Sequence, residues 1–210
     1  MRTEILSLDS LEGDALQLAA ERLRNGAVAV FPTDTVYGLG TAAGSASGIE
    51  KIYRLKGRSS QKPLQLLCSG FAAALPLAEF TPDAALAALR FWPGALTLVL
   101  NALPPGKHYC RYTSTLGLRV SAYAPLCALI EALGQPLAAT SANLSGEPGA
   151  QTEPDVSALF GGKAEYQFTG QPSCLGESTV MDFTGPQPRV LREGSLKPGI
   201  VLSYLKNAAK

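Results

Sequence analysis

Residues 27–40, AVAVFPTDTVYGLG, carry the pattern that decides the fold. The first five, AVAVF, form a continuous apolar run, which is typical of a short strand buried on both faces. The nine that follow contain two glycines and four hydrogen-bonding side chains, namely two threonines, an aspartate and a tyrosine. In open α/β sheets, ligands bind outside the carboxyl ends of the strands. The stretch therefore predicts an α/β sheet in which an early buried strand leads into a binding loop.

Helical and strand patterns alternate along the rest of the chain. Apolar spacing and end signals predict helices over residues 14–24, 49–56, 82–92, 125–133 and 156–160. Apolar or alternating runs predict further strands at residues 64–68, 95–100, 117–122, 136–140, 166–168, 178–182 and 189–192. This alternation predicts an α/β fold with a twisted open, mixed or parallel sheet flanked by helices. Because no repeat or linker interrupts it, we expect residues 1–210 to form a single domain.

The composition argues against several classes of protein. With 18 Lys and Arg against 17 Asp and Glu, the net charge of +1 gives no global field to recruit nucleic acid or an anionic membrane. The cysteines form no CxxC pair, which argues against a structural zinc site and favours reduced thiols at Cys68, Cys110, Cys127 and Cys174. The N-terminus is acidic where a signal peptide needs a basic start, and no apolar run is long enough to span a membrane. We therefore expect a cytoplasmic protein without membrane contacts.

A second polar loop follows a second buried strand. Residues 136–140 (PLAAT) run directly into SANLSGEPG at 141–149. Residues of these types most often only satisfy the backbone of a turn. Two such loops after two buried strands nevertheless favour one shared binding site at an edge of the sheet.

Positive side chains supply anion-binding chemistry. The stretch KGRSSQKP at 56–63 holds Lys56, Arg58 and Lys62 at the end of a predicted helix. Cations stabilise a helix C-terminus, which would explain them without a ligand. They also suit a polyphosphate, because glycine and serine free the backbone to approach it and the Arg fork matches phosphate oxygens.

Arg119 interrupts an apolar strand, LGLRVSA. A buried guanidinium is costly without an anionic partner. Arg119 therefore faces either a carboxylate ligand or an acid of the protein itself. The same two partners, a ligand or an acid of the protein, are open to Arg192 in VLREG, although the sequence argues for them less strongly there.

Standard nucleotide and hydrolase fingerprints are missing. The sequence has no GxxxxGK[ST], which argues against a P-loop. Gly38, Gly40 and Ala43 match GxGxxA, but the cationic stretch lies where a dinucleotide site would need a ribose-binding acid. The single histidine, His108, has no evident nucleophilic partner, which argues against a hydrolytic triad or a histidine-rich metal site.

Seven motifs together show a specific resemblance to a known family. In chain order they are PTDTVYGLG, KIYRLKGRSSQKPL, WPGALTLVL, TLGLRVSAYAP, PLAATSANLSGEP, ESTVMDF and VLREG. Their order and spacing over residues 26–194 resemble the YrdC-like family of threonylcarbamoyl-AMP synthases in its short, single-domain form. The resemblance implies a YrdC-like fold with a concave, cation-lined cavity.

The resemblance also implies an activity and its participants. Such enzymes condense L-threonine, bicarbonate or carbon dioxide, and ATP into threonylcarbamoyl-AMP and pyrophosphate, with Mg²⁺ bridging the phosphates. The product is the activated donor for N6-threonylcarbamoylation of adenosine 37 in tRNA. The implied partners are ATP, L-threonine, bicarbonate and the downstream proteins that transfer the threonylcarbamoyl group to tRNA, with direct RNA contact left open.

Site residues follow from the matching motif positions, and Lys56 and Arg58 are the catalytic candidates. The implied ATP-binding residues are Lys56, Arg58, Lys62, Thr115, Ser141, Asn143, Gly149 and Arg192. The implied L-threonine-binding residues are Thr35, Leu67, Arg119, Ala139 and Ser178, with Arg119 pairing with the carboxylate. No protein ligand set for a metal is implied.

Three positions depart from the family pattern, and other functions stay open. Leu67 stands where some members have a histidine, Gly149 where a serine often contacts ATP, and WPGAL replaces the more usual WPGPL. The alternatives are a related carbamoyl-adenylate-forming domain, a paralogue without synthase activity, or a module that binds double-stranded RNA through its phosphates. Retention of KGR and SAN favours the synthase, and the near-neutral charge disfavours RNA binding alone.

Overall fold

The computed structural model describes residues 2–147, 149–170 and 176–208, and Cys174 lies outside them. Within these ranges, ten strands form one sheet. They are β1 (Glu4–Ser7), β2 (Ala29–Phe31), β3 (Gly38–Ala42), β4 (Gln65–Cys68), β5 (Leu96–Asn101), β6 (Thr115–Val120), β7 (Leu137–Ser141), β8 (Tyr166–Thr169), β9 (Thr179–Asp182) and β10 (Arg189–Arg192). The strands predicted from apolar runs are thereby confirmed to within a few residues at each end.

Helices flank this sheet. Two short 3-10 turns lie at Leu8–Ser10 and Leu75–Leu77. The helices are α1 (Gly13–Arg24), α2 (Ala46–Lys56), α3 (Phe71–Ala74), α4 (Pro82–Phe91), α5 (Pro104–Lys107), α6 (Ala124–Leu133), α7 (Glu153–Phe160) and α8 (Pro198–Ala208). The predicted end signals act as expected. Thr81 Oγ1 accepts from the Ala84 N–H at 3.2 Å to begin α4, and Gly57 and Gly134 end α2 and α6 with φ of 58° and 69°.

The sheet is mixed, as predicted, in the order β1-β8-β2-β3-β7-β4-β6-β5-β9-β10. Strand β3 lies between β2 and β7 and is antiparallel to both. Strands β2 and β7 therefore run in the same direction, and their carboxyl ends share one edge. This confirms that the two polar loops emerge on the same side of the sheet.

Residues 38–42 differ from the prediction, because they form β3 and not a continued loop. The close approach of β3 to its neighbours depends on glycine. A Cβ on Gly38 would lie 2.4 Å from Phe31 Cε2, and one on Gly40 would lie 2.8 Å from the Ala138 carbonyl oxygen. The two glycines thus let β3 cross the Phe31 ring inside the sheet.

The two faces of the sheet are packed differently. On one face, alternate residues such as Leu66, Leu98 and Leu118 join a core that α4 and α8 cover. On the other face, α1 and α6 cover the half around β2 and β7, where Phe31 and Leu137 are buried. Because successive side chains of a strand point to opposite faces, the residues between those leucines face away from the first core. The sheet thus brings the polar residues of β4, β5 and β6 together on its second face.

The first strand and last helix were not predicted. Strand β1 is mostly exposed and pairs in parallel with β8, so it lacks the apolar run that marks a buried strand. Helix α8 buries only Val201 and Leu205. In the described ranges, no helix combines the length and the apolar character needed to cross a membrane.

Candidate active site

A cavity of about 1000 Å³ lies over the polar half of the second face. Its floor consists of alternate residues from neighbouring strands: Gln65 and Leu67 of β4, Thr115, Gly117 and Arg119 of β6, Thr97 and Val99 of β5, and Val180 of β9. Its rim comes from the loop before β3, the KGRSSQKP stretch, the loop after β7, and β10. The volume lies at the upper end of the range for small-molecule sites.

Lys56 ties the end of α2 to the loop after β7. Its buried ammonium donates to the Ser141 carbonyl oxygen at 2.5 Å, to the Asn143 carbonyl oxygen at 2.8 Å and to Asn143 Oδ1. Ser141 Oγ donates to the same Oδ1 at 2.8 Å. Burial and, to a smaller extent, the nearby charge of Arg58 lower the pKa of Lys56 to about 8, and Glu177 opposes the shift. Three residues predicted from two separate motifs thus form one hydrogen-bonded group.

Arg58 carries an unused donor. Its Nη2 donates to the Pro63 carbonyl oxygen at 3.2 Å. Its Nε is the one buried side-chain nitrogen or oxygen of the described residues that has no hydrogen-bond partner. A buried donor left unpaired costs about 1–3 kcal/mol, which a ligand that accepts its hydrogen bond would offset.

We call Lys56, Arg58 and Lys62 the cationic end of the cavity, which all three line. In the described part of the chain, none of the three forms an ion pair with a carboxylate. Three positive charges without paired acids, together with the free Arg58 Nε, suit a polyanion.

Arg119 is paired with an acid of the protein itself. Its Nη2 donates to Asp34 Oδ1 at 2.7 Å, its Nη1 to Thr35 Oγ1 at 2.9 Å, and its Nε to the Gly94 carbonyl oxygen at 2.9 Å. Ser121 Oγ donates to the same Asp34 oxygen at 2.5 Å. Burial lowers the pKa of Arg119, and Asp34 opposes that shift. Of the two partners that the sequence left open, the structure contains the internal acid.

Another part of the cavity lining is built around Ser178. Arg192 donates to the Ser178 carbonyl oxygen from Nε at 3.1 Å and from Nη2 at 2.8 Å, and it forms an ion pair with Glu177 at 2.7 Å. The Ser178 hydroxyl lies 2.9 Å from Thr97 Oγ1 and accepts from Arg192 Nη2 at 3.2 Å. The polar groups of this part of the lining are therefore hydrogen-bonded to one another, and its arginine is paired with an acid.

The comparison with known proteins agrees with this geometry. The model of the Sua5/YciO/YrdC family, described as telomere recombination, matches residues 21–194. The chain belongs to this family. The family predicted from the seven motifs is confirmed.

Two curated relatives that match this chain are longer than it. The threonylcarbamoyl-AMP synthase of Pyrococcus abyssi is 37% identical over 194 residues, which are 90% of this chain and 56% of the relative. That of Bacillus subtilis is 37% identical over 182 residues, 85% of this chain and 53% of the relative. The structure of P. abyssi Sua5 complexed with L-threonine has a TM-score of 0.88 at 34% identity, covering 96% of this chain and 61% of that one. The chain thus spans about half the length of the curated relatives it matches.

Within this Sua5/YciO/YrdC fold, the cavity collects nearly all of the residues predicted from the motifs. From the predicted ATP-binding set it is lined by Lys56, Arg58, Lys62, Thr115, Ser141, Asn143 and Arg192. From the predicted threonine-binding set it is lined by Thr35, Leu67, Arg119, Ala139 and Ser178. Gly149 is the exception, since it lies outside the lining, where a Cβ would come within 3.4 Å of the Val36 side chain. Its contact with ATP stays a prediction.

Sequence reasoning missed several residues of the site. Gln65 and Thr97 line the floor, and Asp34 accepts a hydrogen bond from Arg119. The sequence held a signal for Gln65 and Thr97, because each is the single polar residue of an otherwise apolar strand, LQLLC and ALTLVL respectively. Asp34 belongs to the PTDTVYGLG motif, but the sequence does not reveal that its partner is Arg119, 85 residues further along the chain.

Proposed function

We propose that this chain is an L-threonylcarbamoyladenylate synthase, a nucleotidyltransferase that acts as a single domain over residues 1–210. In this reaction the amine of L-threonine forms a carbamate, either by attack on carbon dioxide with release of a proton or by attack on bicarbonate with release of water. A carbamate oxygen then attacks the α-phosphorus of ATP, and pyrophosphate leaves. Support comes from the family membership and from relatives at 37% identity that carry this name.

One observation carries the proposal: a single cavity is lined by three cations without a carboxylate partner among the described residues and also by two arginines that are paired with acids. At the cationic end, Arg58 Nε is a buried donor without a partner, which suits a phosphate oxygen. Beside the paired arginines, Thr35 and Ser178 present hydroxyls held by Arg119 and Arg192. Acyl-phosphate chemistry of this kind needs positioned donors for developing negative charge more than it needs a strong base.

Each end has a proposed role. Arg58 and Lys62 bind the triphosphate and stabilise the charge that builds on the leaving pyrophosphate. Lys56 fixes the loop of Ser141 and Asn143 against that end, and its charge adds to the field there. Arg119 orients the Thr35 hydroxyl toward the amino acid, and the substrate carboxylate meets a guanidinium that is already held in place.

Magnesium fits this site as a companion of the nucleotide. The described residues contain no cluster of three or more His, Cys, Asp or Glu side chains that could hold a metal ion. The two acids that line the cavity are Glu147 and Glu177, and Glu177 is paired with Arg192. Mg²⁺ commonly binds through substrate phosphates and water with few protein ligands, and there it would neutralise phosphate charge.

The test of the proposed function is the threonine dependence of pyrophosphate release. The protein is incubated with ATP, Mg²⁺, bicarbonate and L-threonine, and pyrophosphate and the adenylate are followed by chromatography. We expect both products to form together and to fall to background when threonine is omitted, because the carbamate is the nucleophile. Equal pyrophosphate release without threonine would contradict the proposal and would favour a carbamoyl-adenylate-forming relative.

The charge of Lys56 gives a pH prediction for ATP binding. Its pKa of about 8 means that the ammonium is charged at pH 7 and mostly neutral at pH 9. The positive charge of Lys56 attracts phosphate below that pKa, and this contribution is lost above it. We therefore expect the Kd for ATP to rise about tenfold between pH 7 and 9. Calorimetric titrations across this range measure the effect. In Lys56→Arg, which stays charged, the rise should disappear, and an equal rise in that variant would assign it to another group.

The product would be consumed by proteins that transfer the threonylcarbamoyl group to adenosine 37 of tRNA. An adenylate of this kind is a reactive mixed anhydride, so a transfer step must follow its release. We propose the cytoplasm, where tRNA is modified, as the place of this reaction.

A further inference from the structure

Four polar side chains form a continuous chain across the floor of the cavity. They are Gln65 on β4, Thr97 on β5, Ser178 just before β9 and Arg192 on β10, and we call them the polar relay. Thr97 Oγ1 donates to Gln65 Oε1 at 3.1 Å and lies 2.9 Å from Ser178 Oγ, and Arg192 Nη2 donates to Ser178 Oγ at 3.2 Å. Thr97 and Ser178 are each 2% exposed. Buried hydroxyls in such a chain have fixed orientations.

Gly117 lies between Gln65 and Thr97. Strand β6 lies between β4 and β5, and Gly117 sits on β6 opposite Val99 of β5. A Cβ at Gly117 would lie 3.5 Å from Thr97 Cγ2 and 3.8 Å from Gln65 Cβ. Both distances are ordinary van der Waals contacts. The hydrogen bond between Thr97 and Gln65 thus spans the intervening strand at Gly117.

Counting protons along the relay fixes the direction of each hydrogen bond. A hydroxyl has one proton to donate and two lone pairs that accept. Thr97 uses its proton on Gln65 Oε1, so in the contact between Thr97 and Ser178 the donor is Ser178. Ser178 has then spent its only proton. One of its lone pairs accepts from Arg192, which leaves the other lone pair for a ligand in the cavity that Ser178 lines.

We infer that the polar relay holds the Ser178 hydroxyl as a hydrogen-bond acceptor for an N–H or O–H group of the bound amino acid, with Thr97 and Gln65 as positioning residues. This inference rests on the proposed function, since it concerns how the amino acid is recognised. It assigns Thr97 and Gln65 no contact with the reacting atoms. Their effect is to prevent Ser178 from donating into the cavity.

The relay also predicts which kinetic constant depends on Thr97. Arg192 keeps two hydrogen bonds to the Ser178 carbonyl oxygen and an ion pair with Glu177, none of which involves Thr97. Removal of the Thr97 hydroxyl therefore frees the Ser178 proton but leaves Arg192 in place. The amino acid should lose affinity, whereas ATP should not.

The test compares Thr97→Val, which removes the hydroxyl and keeps the shape, with Thr97→Ser, which keeps the hydroxyl. In Thr97→Val we expect the KM for L-threonine to rise about tenfold, with the KM for ATP and kcat unchanged within about twofold. Thr97→Ser should stay within about twofold of the original protein for both substrates. Thr41→Val is the matched control, because its buried hydroxyl donates to the Ala27 carbonyl oxygen at 2.7 Å away from the cavity.

Competing L-2-aminobutyrate, which lacks the threonine hydroxyl, identifies the donor group. If the amino acid's O–H donates to Ser178, Thr97→Val weakens threonine but not L-2-aminobutyrate. If its N–H donates, both weaken equally, and either pattern supports the inference. An unchanged KM for threonine in Thr97→Val, or Thr97→Ser as impaired as Thr97→Val, would overturn it. Pyrophosphate release by the original protein without threonine would instead refute the proposed function and the inference with it.

Discussion

Replacing Arg119 with alanine should lower the free energy of unfolding by about 3–5 kcal/mol and remove threonine binding. The guanidinium is 3% exposed and the Asp34 carboxylate 10% exposed, so among the described residues the variant leaves a buried carboxylate hydrogen-bonded only to the Ser121 hydroxyl. It also removes the Arg119 donor from the Thr35 hydroxyl, which then keeps only its contact with Thr33 Oγ1 among the hydrogen bonds of the described residues. Thermal unfolding should show a Tm lower by about 10 °C. Calorimetry with L-threonine measures the loss of binding.

A double variant separates stability from recognition. Replacing both partners, Arg119→Met with Asp34→Asn, removes the buried charges together, and such replacements are often close to neutral. We expect its Tm to return most of the way to the original value while threonine binding stays lost. The double variant also serves if Arg119→Ala does not fold. A normal threonine titration in the double variant would contradict the proposed role of Arg119.

Replacing Arg58 with alanine should weaken ATP binding by about 10- to 100-fold and leave the fold intact. Arg58 makes one hydrogen bond through Nη2, to the Pro63 carbonyl oxygen, and holds a buried Nε without a partner. Its removal therefore costs the folded protein little. A charge-assisted hydrogen bond to phosphate contributes about 1.5–3 kcal/mol, which sets the size of the expected loss.

The matched control for Arg58 is Arg54→Ala. Arg54 lies one turn earlier in the same region, is exposed and does not line the cavity. The two variants remove the same charge from the protein, so any difference in ATP affinity reports the position of the charge. Calorimetry at fixed ionic strength gives both values. Equal affinities in the two variants would contradict the phosphate role of the cationic end.

Most of the buried elements could be predicted from local sequence. The apolar runs at β2, β4, β5 and β7 and the end signals at Thr81 and Gly134 act over a few residues, and the structure confirms them. Strand β3 could not be predicted, because its sequence, GLGTA, has no apolar run and is a strand only through pairing with β2 and β7. Exposed β1 depends in the same way on a partner far along the chain.

Residues of the candidate site could be predicted where one short motif contains all of the groups that act together, as in KGRSSQKP. It was less predictable where function depends on alternate residues of separate strands. Thr97, Gly117 and Gln65 become neighbours only when β6 lies between β4 and β5. The order of strands in a sheet is set by long-range packing, which one sequence does not reveal. For the same reason, the choice between a ligand and Asp34 for Arg119 had to wait for the structure.

The separation of paired from unpaired charges gives the cavity an electrical asymmetry. Arg119 and Arg192 are each neutralised by an acid, Asp34 and Glu177, whereas Lys56, Arg58 and Lys62 at the other end have no carboxylate partner within the described residues. A polyanion approaching from solvent therefore meets a potential gradient that draws it to one end. A zwitterionic amino acid carries no net charge and feels little of that gradient. Under the proposed function, this gradient would attract ATP over a longer range than it attracts L-threonine.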